Sequence, residues 1–186
     1  MGCHGGFSLD ETTRRNWFNP EKILRDAGLG SGMVFVDVGS GDGFFTMIAA
    51  QFVGKTGKIY AVDTDASAIE RLKYRAVEKG FTNVKAVIAE AEETVFCEGC
   101  ADFVFYSIVL HDFRDPVKVL KNAKRMLKPS GKVLDLDWKK MSMSFGPPER
   151  IRFSEEKASA LIKDAGFKIL STNDVGSYHY IVVGIP

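Results

Sequence analysis

A glycine-rich turn with a carboxylate beside it is the part of this sequence best suited to chemistry. Residues 34–43 read Val-Phe-Val-Asp-Val-Gly-Ser-Gly-Asp-Gly, which predicts a buried strand and then a turn, with a helix to follow over roughly 43–53. Glycines let the backbone approach a ligand closely, and the first N–H groups of a helix lack partners within it. The segment therefore predicts a small-molecule site at the end of a strand.

Two carboxylates indicate what kind of ligand this turn suits. Asp37 would repel the pyrophosphate of a dinucleotide, and the dinucleotide fingerprint needs glycine where this chain has Phe44. Asp63 ends the next predicted strand, 20 residues after Gly43, which is the interval at which such folds place an acid on ribose hydroxyls. A nucleoside with a cationic head satisfies both acids. S-adenosylmethionine, with its ammonium and sulfonium, is such a ligand.

Predicted strands and helices alternate along the chain, which predicts an α/β fold. Strands separated by helices imply a parallel sheet with helices on both faces. Only about four residues join the last two strands, which permits an antiparallel hairpin but no crossover. Helices are predicted to begin at Pro20, near 43, and after Asp65, Asp115 and Ser154. The predicted strands are 33–38, 58–63, 84–89, 102–107, 132–138, 167–173 and 178–184.

Composition and charge exclude several classes of protein. With 186 residues, 45% hydrophobic and 26% charged, the chain predicts one soluble domain with a sizeable core. The net charge of +1 gives no electrostatic reason to expect a nucleic-acid or membrane partner, and the mixed charges from Glu11 to Asp26 predict a solvated face. No apolar run approaches the ~18 residues of a membrane span, and Met1–Gly6 lacks the charged and apolar regions of a signal peptide. We therefore expect a cytoplasmic protein.

The cysteines give a weaker signal. The chain has Cys3, Cys97 and Cys100, and an odd count in a protein expected in the cytoplasm argues against a disulfide framework. These thiols with His4 could form a zinc or soft-metal site, but their spacing does not match a two-knuckle zinc site. We expect no metal, and a solvent-facing turn at 97–100.

On these motifs the chain resembles the class I S-adenosylmethionine-dependent methyltransferases, and in particular the small-molecule branch that includes ubiquinone and menaquinone biosynthesis enzymes. The resemblance covers about residues 17–185. It implies a Rossmann-like, seven-stranded, mostly parallel sheet whose last strand is antiparallel, with S-adenosylmethionine as cofactor and S-adenosylhomocysteine as product. The matching pieces are Val36–Gly43, Tyr60–Asp63, Phe103–His111, Leu127–Gly131 and Ala165–Phe167.

The resemblance also implies where the cofactor lies. The glycine turn lines the methionine and ribose parts, with Asp37 near the ammonium and Asp63 on the ribose hydroxyls. Thr64, Glu90 and the N–H of Ala91 border the adenine, and Ser107 lies where the methionine end meets the substrate. The full expected set is Asp37, Gly39, Ser40, Gly41, Gly43, Asp63, Thr64, Glu90, Ala91 and Ser107.

His111 is the candidate catalytic residue, because it follows the fourth strand near the expected acceptor mouth and an imidazole can take a proton from a hydroxyl or amine. The alternative is a hydrogen-bonded structural histidine. We expect Tyr106, His111, Trp138 and the loop 139–148 to border the acceptor. Residues 1–18 would be an arm of the single domain 1–186, with Trp17 and Phe18 over the cofactor.

The expected function is methyl transfer to a small molecule, with no membrane or nucleic-acid partner. The amine-methylating signature Asn/Asp-Pro-Pro-Tyr/Phe is absent after the fourth strand, since Ser107-Ile-Val-Leu stands there, which favours a carbon or oxygen acceptor. So short a chain leaves little room for a lid, so either the acceptor is large enough to cover the site itself or a second subunit of a homodimer helps to cover it. Two alternatives stay open: a binding or regulatory protein without turnover, and an enzyme acting on RNA or protein, although no basic stripe supports RNA.

Overall fold

A single seven-stranded sheet forms the centre of the structure, a computed structural model that describes residues 11–186. The strand order is β3-β2-β1-β4-β5-β7-β6, and only β7 runs antiparallel to its neighbours. The chain reverses its direction of assembly between β1 and β4, and open sheets of this kind bind ligands at that switch point. The strands are β1 Val34–Val38, β2 Lys58–Asp63, β3 Val84–Ile88, β4 Ala101–Ser107, β5 Leu127–Trp138, β6 Lys168–Val175 and β7 His179–Ile185. The predicted sheet is confirmed.

Helices cover both faces of the sheet, and most begin at the predicted caps. The side chain of Asn19 accepts from the N–H of Lys22 at 2.8 Å, and Asp65, Asp115 and Ser154 cap later helices in the same way because a short polar side chain satisfies a free N–H of the first turn. The helices are α1 Glu11–Trp17, α2 Pro20–Ala27, α3 Phe44–Val53, α4 Ala66–Glu78, α5 Pro116–Met126 and α6 Glu155–Asp164, with 3-10 turns at Ala91–Glu93 and Leu110–Asp112.

Strand β5 is longer than predicted. The segment Lys128–Gly131 indicated a turn before a strand starting at 132, but the strand begins at Leu127. Leu127 already pairs with Ala101, and the register shifts before Phe103 pairs with Lys132. The four turn-like residues therefore form an irregularity inside the ladder, which tertiary pairing holds in the sheet.

The alternation of side chains along the strands separates two buried faces. Phe105 and Leu136 belong to the core beneath α2 and α3, whereas Tyr106 and Val133 belong to the core beneath α5 and α6. Tyr106 was expected to border the acceptor, and this expectation is wrong. Its ring is fully buried and its hydroxyl donates to the carbonyl oxygen of Val119 at 3.2 Å, so it packs the core.

The cysteine turn also differs from the expectation. Cys97 and Cys100 form a disulfide, because a Cys-x-x-Cys turn brings the two α-carbons to 5.9 Å, within the range a disulfide spans. Across residues 11–186, no three His, Cys, Asp or Glu side chains are grouped so as to hold a metal ion. Cys3 and His4 lie outside the described residues, so the absence of a metal stays a prediction.

Candidate active site

The glycine turn after β1 has a backbone that other residues would strain. Gly39, Gly41 and Gly43 have φ of 72°, 53° and 88°, in the left-handed region that favours glycine. A β-carbon on Gly39 would lie 2.6 Å from the Val109 side chain, and one on Gly43 would lie 2.7 Å from Leu72. A β-carbon on Gly41 would meet nothing within 4 Å. Packing thus requires the outer two glycines, and Gly41 faces open space.

A pocket opens beside this turn, where β1 and β4 end. It brings five of the predicted cofactor residues together and adds two that were not predicted. The hydroxyls of Ser40 and Ser107 are buried there and have no hydrogen-bond partner among the described residues, so they are free to bind a ligand. The lining is Arg14, Asp37, Gly39, Ser40, Gly41, Phe45 and Ser107.

Asp37 is the buried acid of this pocket. It is 1% exposed, and its Oδ2 accepts from the hydroxyl of Thr46 at 2.5 Å. Burial raises the pKa of Asp37 to about 6; the Thr46 bond opposes this rise and the nearby Asp63 charge adds to it. Asp37 is therefore mostly ionised at neutral pH, and a cationic group beside it would stabilise the carboxylate.

Arg14 is the counterpart that sequence reasoning missed. The mixed charges around it predicted a solvated face. Arg15 is exposed as predicted, but Arg14 is not. Its guanidinium lies 5.2 Å from the centre of the Phe44 ring, and its Nε is buried without a hydrogen-bond partner among the described residues. Burial lowers the pKa of Arg14, although Asp42 and Asp37 oppose this; an arginine nevertheless remains charged. The pocket thus holds one cation and one anion.

Asp63 lies at the rim of the turn and not in the pocket lining. Its Oδ2 accepts from the N–H of Gly41 at 2.8 Å, and its Oδ1 accepts from the N–H of Asp65 at 2.9 Å. These bonds fix the carboxylate against the glycine turn. Thr64 next to it is exposed, so both residues are accessible at the edge where β2 ends.

The predicted adenine residues lie farther along the same edge. Glu90 is exposed, with its nearest carboxylate oxygen 3.8 Å from the Arg114 guanidinium, and Ala91 is buried at the start of a 3-10 turn. The N–H of Ala89 donates to the carbonyl of Asp63 at 3.1 Å, which joins the ends of β2 and β3. Gly43, Asp63, Thr64, Glu90 and Ala91 do not line the pocket, and their contacts with the adenosine part stay predictions.

A strained residue redirects the chain after β4. Ile108 has φ of 60°, an outlier for a β-branched residue that costs on the order of 1–3 kcal/mol. Its N–H donates to the carbonyl of Leu136 at 2.7 Å, which holds the turn. Val109 then packs on Gly39, and the following turn places His111 beside Asp137 of β5.

His111 is buried beside a carboxylate that was not predicted. Its side chain is 2% exposed, with Nδ1 2.7 Å from Asp137 Oδ2 and Nε2 3.6 Å from Asp112 Oδ1. Burial lowers the pKa of His111, but Asp137 and Asp112 raise it more, so it stands above its ordinary value. His111 does not line the cofactor pocket. The sequence could have indicated a partner for Asp137, because it is an acid inside an apolar strand and acids are seldom buried without a partner.

Arg152 organises the loop between β5 and α6. Its buried guanidinium donates to the carbonyls of Pro147, Met141 and Phe145 at 2.7 to 2.9 Å, and it lies 5.5 Å from the centre of the Trp138 ring. Because the loop has no regular structure, these bonds take the place of a backbone ladder.

We expect Arg152→Met to lower the free energy of unfolding by about 2–4 kcal/mol, since the carbonyls of Pro147, Met141 and Phe145 lose their charged hydrogen-bond donor. Amide hydrogen exchange across residues 139–152 should quicken as well. Urea denaturation checks the first effect and exchange mass spectrometry the second. Arg150→Met, two positions away and exposed, is the control; equal loss in both variants would contradict the bracing role of Arg152.

Comparisons with known proteins agree on one family. A family model described as "Methyltransferase domain" matches residues 29–172. The ubiquinone/menaquinone biosynthesis C-methyltransferase UbiE of Haemophilus ducreyi is 29% identical over 86% of this chain and 60% of that protein. The demethylmenaquinone methyltransferase of Staphylococcus aureus is 31% identical over 63% of this chain and 48% of that protein. A SAM dependent methyltransferase from Aquifex aeolicus has a crystal structure with a TM-score of 0.88 and 30% identity, covering 96% of this chain and 99% of that one.

The chain therefore belongs to the methyltransferase-domain family. It is an S-adenosylmethionine-dependent methyltransferase of the Rossmann-like fold, and the expectations for fold, enzyme class and cofactor are confirmed. The chain spans about 60% of the length of the H. ducreyi relative. No helix in the described part of the chain is long and apolar enough to cross a membrane.

The pocket residues fit this cofactor. Its methionine end carries one ammonium and one carboxylate, and the pocket presents the Asp37 carboxylate and the Arg14 guanidinium. The unpartnered hydroxyls of Ser40 and Ser107 and the unpartnered Nε of Arg14 supply further hydrogen-bonding groups. Buried polar atoms without partners are costly, so a polar ligand at this position accounts for them.

Proposed function

We propose that the enzyme transfers the methyl group of S-adenosylmethionine to a carbon or oxygen atom of a small organic acceptor. The observation that carries the proposal is the pocket with Arg14 and Asp37 at the switch point of the sheet. Two relatives bear names that place them in quinone biosynthesis, one of them as a C-methyltransferase. The name of that C-methyltransferase favours carbon as the methylated atom.

The cofactor supplies an activated methyl group on a positively charged sulfur. The residues of this chain need only bind, align and exclude water. Arg14 and Asp37 hold the two charges of the methionine end, and Asp63 is positioned through Gly41 for the ribose. His111, oriented by Asp137, can receive a proton at Nε2 from an acceptor that begins protonated.

Several finer expectations stay predictions. A cytoplasmic location, a homodimer and the domain bounds 1–186 with an arm at 1–18 belong here, as does the absence of a nucleic-acid partner. A net charge of +1 supports a small acceptor over RNA, since nucleic-acid binding rests on basic surfaces.

Calorimetric titration with S-adenosylhomocysteine tests the cofactor part of this proposal. We expect micromolar binding to wild type and about 10- to 100-fold weaker binding to Asp63→Asn, since hydrogen bonds to a charged group contribute ~1.5–3 kcal/mol. Asp65→Asn is the matched control, because Asp65 is exposed two residues away and asparagine is an equally good helix cap.

The same wild-type protein is then incubated with S-adenosylmethionine and a panel of phenols, quinols, amines and RNA. We expect methylated product from ring-containing carbon or oxygen acceptors only. A folded wild type that does not bind S-adenosylhomocysteine would overturn the proposed cofactor site. Turnover of amines or RNA alone would overturn the proposed acceptor class.

A further inference from the structure

An aromatic cluster surrounds the point where the ends of β5 and β7 pair. Trp138 and His179 are register partners in the antiparallel ladder, and their ring centroids lie 4.2 Å apart. The indole of Trp17 lies over this pair, with centroid distances of 5.0 Å to Trp138 and 5.7 Å to His179. Phe145 stacks on Trp17 at 5.5 Å with an interplanar angle of 13°.

This cluster contains polar atoms that packing alone does not explain. Trp138 and His179 are fully buried, and among the described residues Trp138 Nε1 and both ring nitrogens of His179 have no hydrogen-bond partner. An unpaired buried polar group costs on the order of 1–3 kcal/mol. An apolar ring in place of the imidazole of His179 would fill similar space without that cost, so these nitrogens indicate a ligand.

The cluster is continuous with the wall of the cofactor pocket. The ring of Phe18 lies 5.0 Å from His179 and 6.0 Å from Phe45, and Phe45 lines the pocket. A ring bound against Trp138 and His179 would therefore lie next to the cofactor-binding residues. An acceptor must occupy such a position, since methyl transfer needs the two reactants in contact.

In the structure, the indole of Trp17 occupies the position against Trp138 and His179. It is half-buried, although the two side chains beneath it are fully buried. It ends α1, a short helix whose Arg14 lines the cofactor pocket. The carbonyl oxygen of Trp17 lies against the turn between β6 and β7, where a β-carbon on Gly176 would come within 2.5 Å of it.

We propose that a flat aromatic acceptor with a hydroxyl group binds on the Trp138–His179 pair, in the place that the indole of Trp17 holds. The hydroxyl oxygen accepts from Trp138 Nε1–H, and the hydroxyl donates a hydrogen bond to a ring nitrogen of His179. These two bonds orient the ring, and removal of a proton during the reaction stays assigned to His111. Trp17 must move aside to admit the bound ring. This inference rests on the proposed function, because it concerns the acceptor of that reaction.

The state of His179 supports these bonds. Burial, together with the charges of Arg152 and Lys139, lowers the pKa of His179 to about 3, so the imidazole is neutral and keeps one nitrogen free to accept. The charges that lower its pKa are those of Arg152, on the loop, and Lys139, which follows β5 and pairs with Asp174 at 2.8 Å. Among residues 11–186, no carboxylate is hydrogen-bonded to the ring of His179.

The chain allows a direct test, because it has only two tryptophans and both lie in this cluster. Proton–nitrogen correlation spectra show one signal for each indole N–H, and Trp17→Phe assigns the remaining one to Trp138. With S-adenosylhomocysteine present, we titrate 2-naphthol and, as the ring without a hydroxyl, naphthalene. The expected result is a downfield shift of the Trp138 indole signal with 2-naphthol and a much smaller one with naphthalene.

Variants measure each part of the site. We expect His179→Phe to weaken 2-naphthol binding about fivefold to tenfold, the value of one or two neutral hydrogen bonds. Trp17→Ala should tighten it, because the place is no longer filled. Tyr74→Phe removes an exposed hydroxyl on α4 and is the control, with unchanged affinity.

The outcomes separate this inference from the proposed function. If S-adenosylhomocysteine binds but 2-naphthol leaves both indole signals unmoved, the acceptor site is elsewhere and the inference is overturned while the cofactor site stands. Equal shifts with naphthalene and 2-naphthol would overturn the hydrogen bonds. Loss of S-adenosylhomocysteine binding by folded wild type would overturn the proposed function itself. These wild-type titrations decide the question even where a core variant fails to fold.

Discussion

Replacing Asp37 by asparagine is expected to stabilise the fold and to weaken cofactor binding at the same time. Burial raises the pKa of Asp37 from 3.8 to about 6, so the folded protein holds this proton more tightly than the unfolded chain does. As the pH rises between these two values, the unfolded state ionises first and stability is lost. Above the folded-state pKa, the buried charge lowers the free energy of unfolding by its full amount, at most about 3 kcal/mol.

Asparagine avoids this cost because it has no charge to bury. Its side-chain oxygen can still accept from the hydroxyl of Thr46. We therefore expect Asp37→Asn to raise the free energy of unfolding by up to about 3 kcal/mol near pH 7.5, with the gain shrinking to nearly nothing by about pH 4. Urea denaturation across that range measures it.

The binding effect has the opposite sign. The ammonium of the cofactor would lose its carboxylate partner, so the affinity for S-adenosylhomocysteine should fall about 10- to 100-fold. In wild type, affinity should also fall as the pH drops through about 6, because Asp37 becomes protonated, while the variant should show no such step.

Asp42→Asn is the matched control for both measurements. It lies on the same turn, but its side chain is 41% exposed and pairs with Arg75 at 3.4 Å. We expect it to change stability by less than about 1 kcal/mol, as for exposed ion pairs, and to weaken binding far less than Asp37→Asn does. The role assigned to Asp37 would be refuted by an Asn variant that binds as wild type does, or that is less stable at neutral pH.

The fold was largely predictable because its signals are local. Asn19-Pro20 and Asp115-Pro116 mark helix starts through capping and the fixed φ of proline, and the short link between the last two strands permits only a hairpin. The extension of β5 to Leu127 was not predictable in this way. Pairing with Ala101 is a tertiary effect, and the local residues indicated a turn.

The site residues also differ in whether local sequence signals could predict their positions. Asp37, Ser40 and Gly41 belong to one turn, and Ser107 ends the neighbouring parallel strand, so their proximity follows from the predicted sheet. Arg14 and His179 come from the two ends of the chain, and nothing in their neighbouring residues shows that they meet the cofactor pocket or its border. Asp137 could be suspected as an acid in an apolar strand, but its contact with His111 depends on the strained turn at Ile108.

The second large effect is expected at His111. We expect His111→Gln to lower kcat by about 100- to 1,000-fold with an acceptor that must lose a proton, which is within the usual value of general base catalysis. The affinity for S-adenosylhomocysteine should not change, because His111 does not line the cofactor pocket. Steady-state kinetics and calorimetry on the same preparations check the two parts.

Asp137→Asn separates a catalytic His111 from a structural one. The Asp137 carboxylate lies 2.7 Å from Nδ1, which keeps the proton on that nitrogen and leaves Nε2 free to accept. It also counteracts the effect of burial, so the pKa of His111 stands above its ordinary value. His111 acts as a base only when neutral, so the acidic limb of the pH–rate profile should report this pKa and move to lower pH in Asp137→Asn.

The stability of the same variant has a pH dependence of known sign. A histidine whose folded pKa is raised stabilises the fold fully below its unfolded value, and this contribution is lost as the pH rises through the folded value. Asp137→Asn should therefore cost more stability in mild acid than in mild base. Asp112→Asn is the control, since its side chain is 51% exposed and 3.6 Å from Nε2, and we expect less than about a threefold change in kcat, as for a weak exposed pair.

A structural histidine would give a different pattern from a catalytic one. His111→Gln would then reduce the free energy of unfolding but retain kcat, and the acidic limb would stay in place when Asp137 is replaced. That result would refute the role of His111 as base. Methyl transfer would then depend only on the alignment of acceptor, methyl group and sulfur. Because sulfonium is a good leaving group, alignment is sufficient when the acceptor is already a strong nucleophile.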